Sequence, residues 1–235
     1  MATHIKNNDT LPPTYISIDV EAAATGYGHR DREPCWVAVV DVHGTELLNI
    51  VVDVPQLVSP MTSITGLTAD QIRAGIPLAD ALHRVHTLLC SLGPNVVLVG
   101  QSPEGDIKWL QLRQGVHYAQ QIDLAEQFRC WNAKYNSWNY FSLAKEAFAL
   151  LNVRMHGNES HSPLVDAQIS MRLYTEFVRE PKRLKKAIAK LQRMTIYRGF
   201  PPELMAGNQN RNIDGVCGYA FDPQKCTCNQ PTLRK

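Results

Sequence analysis

Long apolar runs are absent from this sequence, since no run approaches the roughly 20 residues that are needed to cross a bilayer. The first 14 residues, MATHIKNNDTLPPT, are polar and lack the apolar centre of a secretory signal. Six cysteines among 235 residues are too few and too unevenly spaced for a disulfide scaffold. We therefore expect no membrane partner, a reducing compartment, and a cytoplasmic or nuclear location.

Acidic residues are scarce in one short segment. Residues 179–198 contain eight Lys or Arg and a single Glu, whereas residues 1–178 contain 12 basic and 18 acidic residues. The overall charge of +2 therefore hides an acidic body and a basic segment. That segment is either a solvated helix face or a surface that contacts phosphates, and the sequence favours neither interpretation.

Periodic patterns predict a mixed α/β domain. Strands are expected at 15–20, 35–42 and 45–52, and their order favours an antiparallel meander. The apolar run NVVLVG predicts a central strand that is covered on both faces. The other predicted elements are a capped helix after Thr68, a helix over 77–93, a short helix over 103–112, a strand near 120–124, and helices near 140–151 and 160–178.

Two carboxylates end the first predicted strand, in YISIDVEAAATG. Side chains two residues apart in a strand point to the same side, so Asp19 and Glu21 project together. Two like charges this close are costly unless a cation lies between them, and Mg²⁺ and Mn²⁺ prefer carboxylate oxygens. A surface pair is the alternative, and it is favoured unless other residues agree.

Three later residues do agree. Asp106 follows the central strand, at the kind of strand end where ligand sites of α/β sheets collect, although it also suits a helix N-terminus. Asp166 lies on the core side of an amphipathic helix, where a carboxylate needs a partner. His161, five residues earlier, is a candidate general base or an ordinary surface histidine.

The order of these residues carries a family resemblance. D-x-E, a distant Asp after a strand and glycine, and H-x4-D at a late helix resemble the DEDDh 3′→5′ exonucleases of the proofreading-exonuclease superfamily, over about residues 15–178. The tyrosine branch of that superfamily would have Tyr where this chain has Ser162. Finer similarity is to the RNA-exonuclease branch with the Rex-type, interferon-stimulated and Pan2 enzymes, in the segments VVDVHGTELLNIVV, TSITGLT, GQSPEGDIKWL and QIDLAEQF.

The resemblance implies a fold and a division of the chain. The fold is a ribonuclease-H-like mixed five-stranded sheet flanked by helices, with a C-terminal basic helix and a polar tail. The expected parts are an N-terminal arm over 1–14, the exonuclease domain over 15–178, the basic helix over 179–198, and a Cys-containing loop or tail over 199–235.

The resemblance also implies a mechanism with two divalent ions, Mg²⁺ or Mn²⁺. Asp19 would bridge both ions, Glu21 and Asp166 would complete the first, and Asp106 would serve the second, while His161 takes a proton from the attacking water. Nucleoside 5′-monophosphates would leave a single-stranded 3′ end, with RNA favoured as substrate. A DNA exonuclease of the same superfamily and a non-catalytic nucleic-acid-binding module are the alternatives.

Substrate contacts follow from the same resemblance. The loop at Thr65, Gly66 and Leu67 would meet the terminal nucleotide, next to Ala22 and Ala23. Those two alanines replace a Thr-rich pair of the superfamily, and Gln101 occupies a position where many relatives have His, so the terminal contacts differ from the family pattern.

Two other segments are candidates for binding. Lys185 and Lys186 of the basic helix would contact phosphates downstream of the cleavage site. The aromatic stretch CWNAKYNSWNYF suits base stacking, but packing of a loop that connects helices is the favoured interpretation.

The cysteines of the last segment have their own alternatives. Cys217, Cys226 and Cys228 are candidate zinc ligands, with a fourth ligand such as His156 from elsewhere in the chain. Their C-x8-C-x-C spacing matches no common zinc motif, so free thiols are the favoured interpretation.

Overall fold

The computed structural model describes residues 12–155, 161–194, 212–214 and 216–217. The strands are β1 (Thr14–Ala24), β2 (Arg32–Asp41), β3 (Glu46–Val51), β4 (Val96–Gly100), β5 (Gln120–Asp123), β6 (Cys130–Asn132), β7 (Ser137–Asn139), β8 (Asn212–Ile213) and β9 (Val216–Cys217). The helices are α1 (Thr62–Thr65), α2 (Ala69–Arg73), α3 (Leu78–Ser91), α4 (Glu104–Trp109), α5 (Leu124–Phe128), α6 (Leu143–Glu146), α7 (Pro163–Leu173) and α8 (Pro181–Arg193). Helices α6 and α7 each continue into one π-helical turn, Ala147–Leu151 and Tyr174–Val178.

The main sheet is five-stranded and mixed, with the order β3-β2-β1-β4-β5. β1, β2 and β3 form an antiparallel meander, and β4 and β5 add to it in parallel with β1. The sequence predicted both the meander and the mixed five-stranded sheet, and both predictions are confirmed.

Apolar layers cover both faces of this sheet. All five residues of β4 are buried, as the continuous apolar run predicted. On one face Ile16, Ile18 and Val20 of β1 pack against residues of α3, and on the other face α7 and α8 cover Val40 and Val99. Burying each such aliphatic side chain contributes about 1.5–3 kcal/mol to the stability of the fold. These two layers therefore stabilise the sheet, including the end of β1 that carries the acids.

The first strand is longer than predicted. β1 pairs with β2 as far as Ala24 opposite Arg32, with an irregularity between Glu21 and Ala22. The prediction that Asp19 and Glu21 end the strand is therefore wrong, because small alanines let the antiparallel pairing continue. The parallel pairing of β1 with β4 stops at Ser17, so both acids lie beyond the end of β4.

Two small hairpins were not predicted. β6 and β7 pair within the aromatic stretch, which is therefore a β-hairpin rather than a loop between helices. β8 and β9 pair within the segment expected to be loop or tail, and Val216 is fully buried against Ala24 and Met61. The prediction for 199–235 is wrong for this part, because Val216 fills an apolar contact that no local pattern announces.

Some predictions fall on residues that the structure does not describe. These are most of the N-terminal arm, the end of the basic segment, His156, and the side chains of Cys217, Cys226 and Cys228. Within the described part of the chain, no helix combines the length and apolar character needed to span a membrane.

Candidate active site

The two acids of β1 face helix α7. Side chains alternate along a strand, and the even-numbered Ile18 and Val20 point into the layer beneath α3. Asp19 and Glu21 therefore project to the opposite face, where Asp19 is half-buried and Glu21 is only 8% exposed. The sequence prediction that these carboxylates share one side agrees with this placement.

Asp106 approaches them from the loop and helix that follow β4. It lies in the first turns of α4 and is 8% exposed. Gly100 allows this approach, since a β carbon at that position would lie 3.1 Å from Cβ of Pro103 and 3.4 Å from the carbonyl oxygen of Ile18. The absence of a side chain at Gly100 thus lets the start of α4 lie directly against β1.

The third element is the start of α7. Pro163 occupies the first turn, a position where the missing N–H costs nothing, and Asp166 follows with 5% exposure. His161 lies just before the helix, with Nδ1 at 3.4 Å from Oδ2 of Asp166 and 3.9 Å from Oε1 of Glu21. The structure thus brings the predicted histidine and its acids together, while their catalytic roles remain a prediction.

The carboxylates raise one another's pKa. Burial raises the pKa of Asp19, and the charges of Asp106, Asp166 and Glu21 raise it further. Burial and the charge of Asp166 bring the pKa of Glu21 to about 7, although His161 lowers it. Burial and Glu21 raise the pKa of Asp106 to about 8, against hydrogen bonds from the backbone N–H groups of Asp106 and Val20. Acids arranged in this way disfavour the fully charged state unless positive charge is added.

The pKa of His161 shifts in the direction expected beside acids. Burial lowers this pKa, but the hydrogen bond to Asp166 and the charges of Glu21 and Asp166 outweigh burial and raise it. Its side chain remains 39% exposed, so the ring is accessible from solvent. A half-exposed imidazole against buried carboxylates has the surroundings of a residue that exchanges a proton with water.

The donor set fits a divalent cation. Glu21, His161 and Asp166 each present a ligand atom, and these atoms lie within 4.8 Å of one another. The neighbouring Asp19 and Asp106 add further carboxylate oxygens, the donors that Mg²⁺ and Mn²⁺ prefer. A cation at this position would also relieve the repulsion that raises the pKa values of Asp19, Glu21 and Asp106.

The segment 61–67 contains the residues predicted to meet the terminal nucleotide, and it is termed here the substrate loop because of that prediction. It lies against His161. The backbone N–H of His161 donates to the carbonyl of Ile64 at 3.1 Å. Thr65 is fully buried, and its hydroxyl donates to the carbonyl of Pro60 and accepts from the N–H of Leu67.

Burial limits how this loop meets a nucleotide. Leu67 packs in the same apolar cluster as Ala23, and both side chains point inward, as Thr65 does. Gly66 has φ of 75°, a conformation that suits glycine, and it is partly exposed. The predicted nucleotide contact is therefore left to the backbone around Gly66 and to the partly exposed Ala22.

The remaining predicted residues lie outside the acid cluster. Lys185 and Lys186 are exposed on α8. Gln101 does not face open solvent, because its amide donates to the carbonyl of Phe141 at the base of the β6–β7 hairpin. Sequence analysis favoured packing for the aromatic stretch, whereas the structure exposes four of its rings. The exposed rings fit the other interpretation of the sequence, which was base stacking.

Relatives in sequence are exonucleases by name. The chain is 28% identical over 175 residues to RNA exonuclease 4 of Candida glabrata, covering 73% of this chain and 63% of that protein. It is 27% identical over 161 residues to RNA exonuclease 4 of Gibberella zeae, covering 68% of this chain and 48% of that protein. The chain thus spans about half to just under two thirds of these curated relatives, and no family model matches it.

Solved structures share the fold. The catalytic unit of Neurospora crassa Pan2, with protease and nuclease domains, matches with a TM-score of 0.60 at 18% identity, covering 80% of this chain and 32% of that one. The Saccharomyces cerevisiae Pan2 pseudoubiquitin hydrolase-RNA exonuclease module in complex with AAGGAA RNA matches with a TM-score of 0.60 at 17% identity, covering 79% and 33%. The sheet and its flanking helices are therefore those of the ribonuclease-H-like exonuclease fold.

Proposed function

We propose that this chain, whose fold and relatives support its assignment to the DEDDh-type 3′–5′ exonuclease superfamily, is a metal-dependent 3′→5′ exoribonuclease. The observation that carries the proposal is the convergence of four carboxylates and one histidine at a single edge of the sheet. Asp19, Glu21, Asp106 and Asp166 are near enough to alter one another's pKa values, and His161 lies within 3.9 Å of two of them. The names of the sequence relatives and the RNA-bound structural neighbour support RNA as the substrate.

We infer that the four acids hold two divalent ions, Mg²⁺ or Mn²⁺. When bound, such ions lower the pKa of a coordinated water and neutralise charge on phosphoryl oxygens. The carboxylates contribute by remaining deprotonated once positive charge is present, and burial keeps them in a fixed arrangement. The catalytic domain in this proposal spans residues 15–178.

His161 is the proposed general base. Its ring lies at the exposed margin of the cluster, where it takes a proton from the attacking water, and Asp166 orients Nδ1 through the contact at 3.4 Å. Nδ1–H donates to the carboxylate of Asp166, which leaves Nε2 as the atom that accepts the proton of the water in this proposal. The products are nucleoside 5′-monophosphates released from a free 3′ end.

The 3′-terminal nucleotide is proposed to lie between the substrate loop and β1. The hydrogen bond from the backbone of His161 to Ile64 fixes the substrate loop relative to this proposed general base. The terminal sugar and the reacting phosphate would therefore be positioned together. Lys185 and Lys186, being exposed and unopposed by acids within the sequence of α8, suit phosphates of the remaining strand.

The experiment follows digestion of 5′-labelled and 3′-labelled single-stranded RNA and DNA over time, with Mg²⁺ or Mn²⁺, by the wild type and Asp19→Ala. We expect stepwise shortening of RNA from its 3′ end that Asp19→Ala and a chelator abolish. Removal of a catalytic metal ligand costs several kcal/mol of transition-state stabilisation, so the rate should fall by more than about a thousandfold. Faster digestion of DNA than of RNA would indicate a DNA exonuclease. No digestion of either substrate by the folded wild type would favour a non-catalytic binding module.

A further inference from the structure

Four exposed aromatic rings lie within ten consecutive residues. The exposed fractions are 48% for Trp131, 68% for Tyr135, 44% for Trp138 and 52% for Tyr140. Large aromatic side chains normally bury most of their surface, and a cluster of exposed ones marks a surface that binds something. None of these rings belongs to the candidate active site.

The β6–β7 hairpin holds these rings outward. Trp131 and Trp138 are directly opposite each other in the register, with ring centroids 5.4 Å apart in an edge-to-face arrangement. The base of the hairpin is anchored, since Cys130 and Phe141 are buried in the core beneath α7 and α8. We call the outward face formed by Trp131, Tyr135, Trp138 and Tyr140 the aromatic platform.

Positive charge is interleaved with the rings. The guanidinium of Arg129 lies 4.2 Å from the centre of the Trp138 ring, and the ammonium of Lys134 lies 5.1 Å from that of Tyr135. Residues 127–145 include Arg129, Lys134 and Lys145 and no acidic residue, but Arg129 forms a salt bridge with Glu126 just before this range. A surface of this kind suits a ligand that has both flat aromatic groups and negative charge.

A groove continues the platform toward the basic helix. It has a volume of about 370 Å³ and lies between the hairpin and the last turn of α8, with Trp131, Asn139, Lys145, Gln192 and Met194 among its lining residues. Exposed Lys190 and Arg193 follow on the same helix. The platform and the basic helix therefore border one continuous depression.

The platform also connects to the edge of the sheet that carries the acids. The amide of Gln101 donates to the carbonyl of Phe141, at the base of the hairpin, at 2.9 Å. The next residue, Ser102, donates from its backbone N–H to Asp123, and the chain then enters α4 with Asp106. The hairpin is thus fastened to the segment that positions one of the four carboxylates.

We propose that the aromatic platform is a second binding site for single-stranded RNA. Bases upstream of the terminal nucleotide would stack on its rings. This inference rests on the proposed function for the direction of the strand. Flat bases match the exposed rings, and the backbone phosphates match Lys134, Lys145 and the end of α8. The site explains how a strand is held while successive 3′ nucleotides are removed.

The test measures binding of RNA 3-mers and 12-mers to the full chain in a chelator, so that no cleavage occurs. We expect the wild type to bind the 12-mer more tightly than the 3-mer, and Trp138→Ala to reduce this advantage by about tenfold, the effect of losing one stacked base. Trp138→Phe, which keeps a ring, should retain most of the advantage. Quenching of tryptophan fluorescence by the 12-mer should decrease in both variants.

Controls separate this inference from the proposed function and from misfolding. Thermal melting of each variant checks the fold, and Val116→Ala, an exposed apolar position elsewhere, serves as the matched surface change. An unchanged length dependence in folded Trp138→Ala would overturn the inference and leave a protein partner as the occupant of the rings. If the wild type cleaves no RNA but still binds the 12-mer more tightly than the 3-mer, and this depends on Trp138, the proposed exonuclease activity is wrong. The proposed RNA-binding role of the platform then stands.

Discussion

The acid cluster and the aromatic platform are built on opposite physical terms. The acids are buried, repel one another and have raised pKa values. The rings of the platform are exposed to solvent, and the cations of Arg129 and Lys134 lie over two of them. The first arrangement is unfavourable until positive charge enters, and the second is favourable in water but leaves apolar surface uncovered. The difference predicts that the proposed chemistry and the proposed strand binding depend on separate residues, so that each can be altered without the other.

His161→Gln should have the largest effect, because it should lower the turnover of RNA without changing the binding of RNA. Loss of the base should lower the turnover of RNA by about 10²–10⁴-fold while binding of RNA in chelator stays within about twofold. A base must be neutral to accept a proton, so wild-type turnover should rise with pH as His161 loses its proton. The variant should lack this limb of the pH–rate profile, measured at saturating RNA.

The control for this variant is His83→Gln, an exposed histidine on α3. It should retain wild-type turnover and the same pH profile. Wild-type turnover in His161→Gln would remove the histidine from the mechanism.

Reversal of two charges on α8 should produce the next largest effect, on binding alone. Lys185→Glu with Lys186→Glu should weaken RNA binding about tenfold at low salt and decrease the slope of log affinity against log salt by about 1.4, the value for two phosphate contacts. The aromatic variants should leave this slope unchanged, since stacking releases no counterions. Affinity measured between 50 and 300 mM salt, on the order of a sixfold range, distinguishes these two kinds of loss.

Arg73→Glu with Arg84→Glu changes the net charge equally at exposed positions of α2 and α3. If this control weakens binding as much as the lysine variant does, then overall charge rather than α8 accounts for the effect. Equal affinity of wild type and lysine variant at low salt would remove α8 from the binding surface.

Asp106→Asn tests the acid cluster through the stability of the metal-free protein, where the expected change is the smallest of those predicted here. The folded-state pKa of about 8 lies above that of an unfolded Asp, so the stability associated with this proton is present at pH 4 and is lost as pH rises through 8. In chelator at pH 8.5 the variant should melt about 5 °C above the wild type, and at pH 4.5 the two should agree.

Millimolar Mg²⁺ should raise the melting temperature of the wild type more than that of Asp106→Asn, because the metal then compensates the repulsion. Asp80→Asn, at an exposed position of α3, should show neither effect. Identical melting temperatures of the wild type and Asp106→Asn across this pH range would show that charge repulsion among the acids does not destabilise the fold.

Local patterns predicted the parts of the molecule that local patterns determine. Alternation placed Asp19 and Glu21 on one side of a strand, and the apolar run NVVLVG identified the central strand. The order of motifs also grouped His161 and Asp166 with them, and the structure brings these residues together. Each of these features depends on a few neighbouring residues or on a shared sheet edge.

The features that were missed depend on distant contacts. The strands β6 and β7 have three residues each, too few for a periodic signal, and their pairing is fixed by burial of Cys130 and Phe141. Thr65 and Leu67 are turned inward by hydrogen bonds and packing within the substrate loop, which a motif match does not reveal. Val216 is buried against Ala24, Met61 and Ile64, which are more than 150 residues away in the sequence.

The return of β8 and β9 to the substrate loop bears on the order of synthesis. The hydroxyl of Ser59, just before the loop, donates to Asp214 at 2.8 Å, across 155 residues of chain. At ribosomal rates of about 5–20 residues per second, roughly 8–31 s separate the two partners as they are made. During that interval the nascent chain already carries its first acids, yet it lacks the segment that packs on the loop. Synthesis of the β8–β9 segment is therefore the step that supplies the contacts of Asp214 and Val216 with this region.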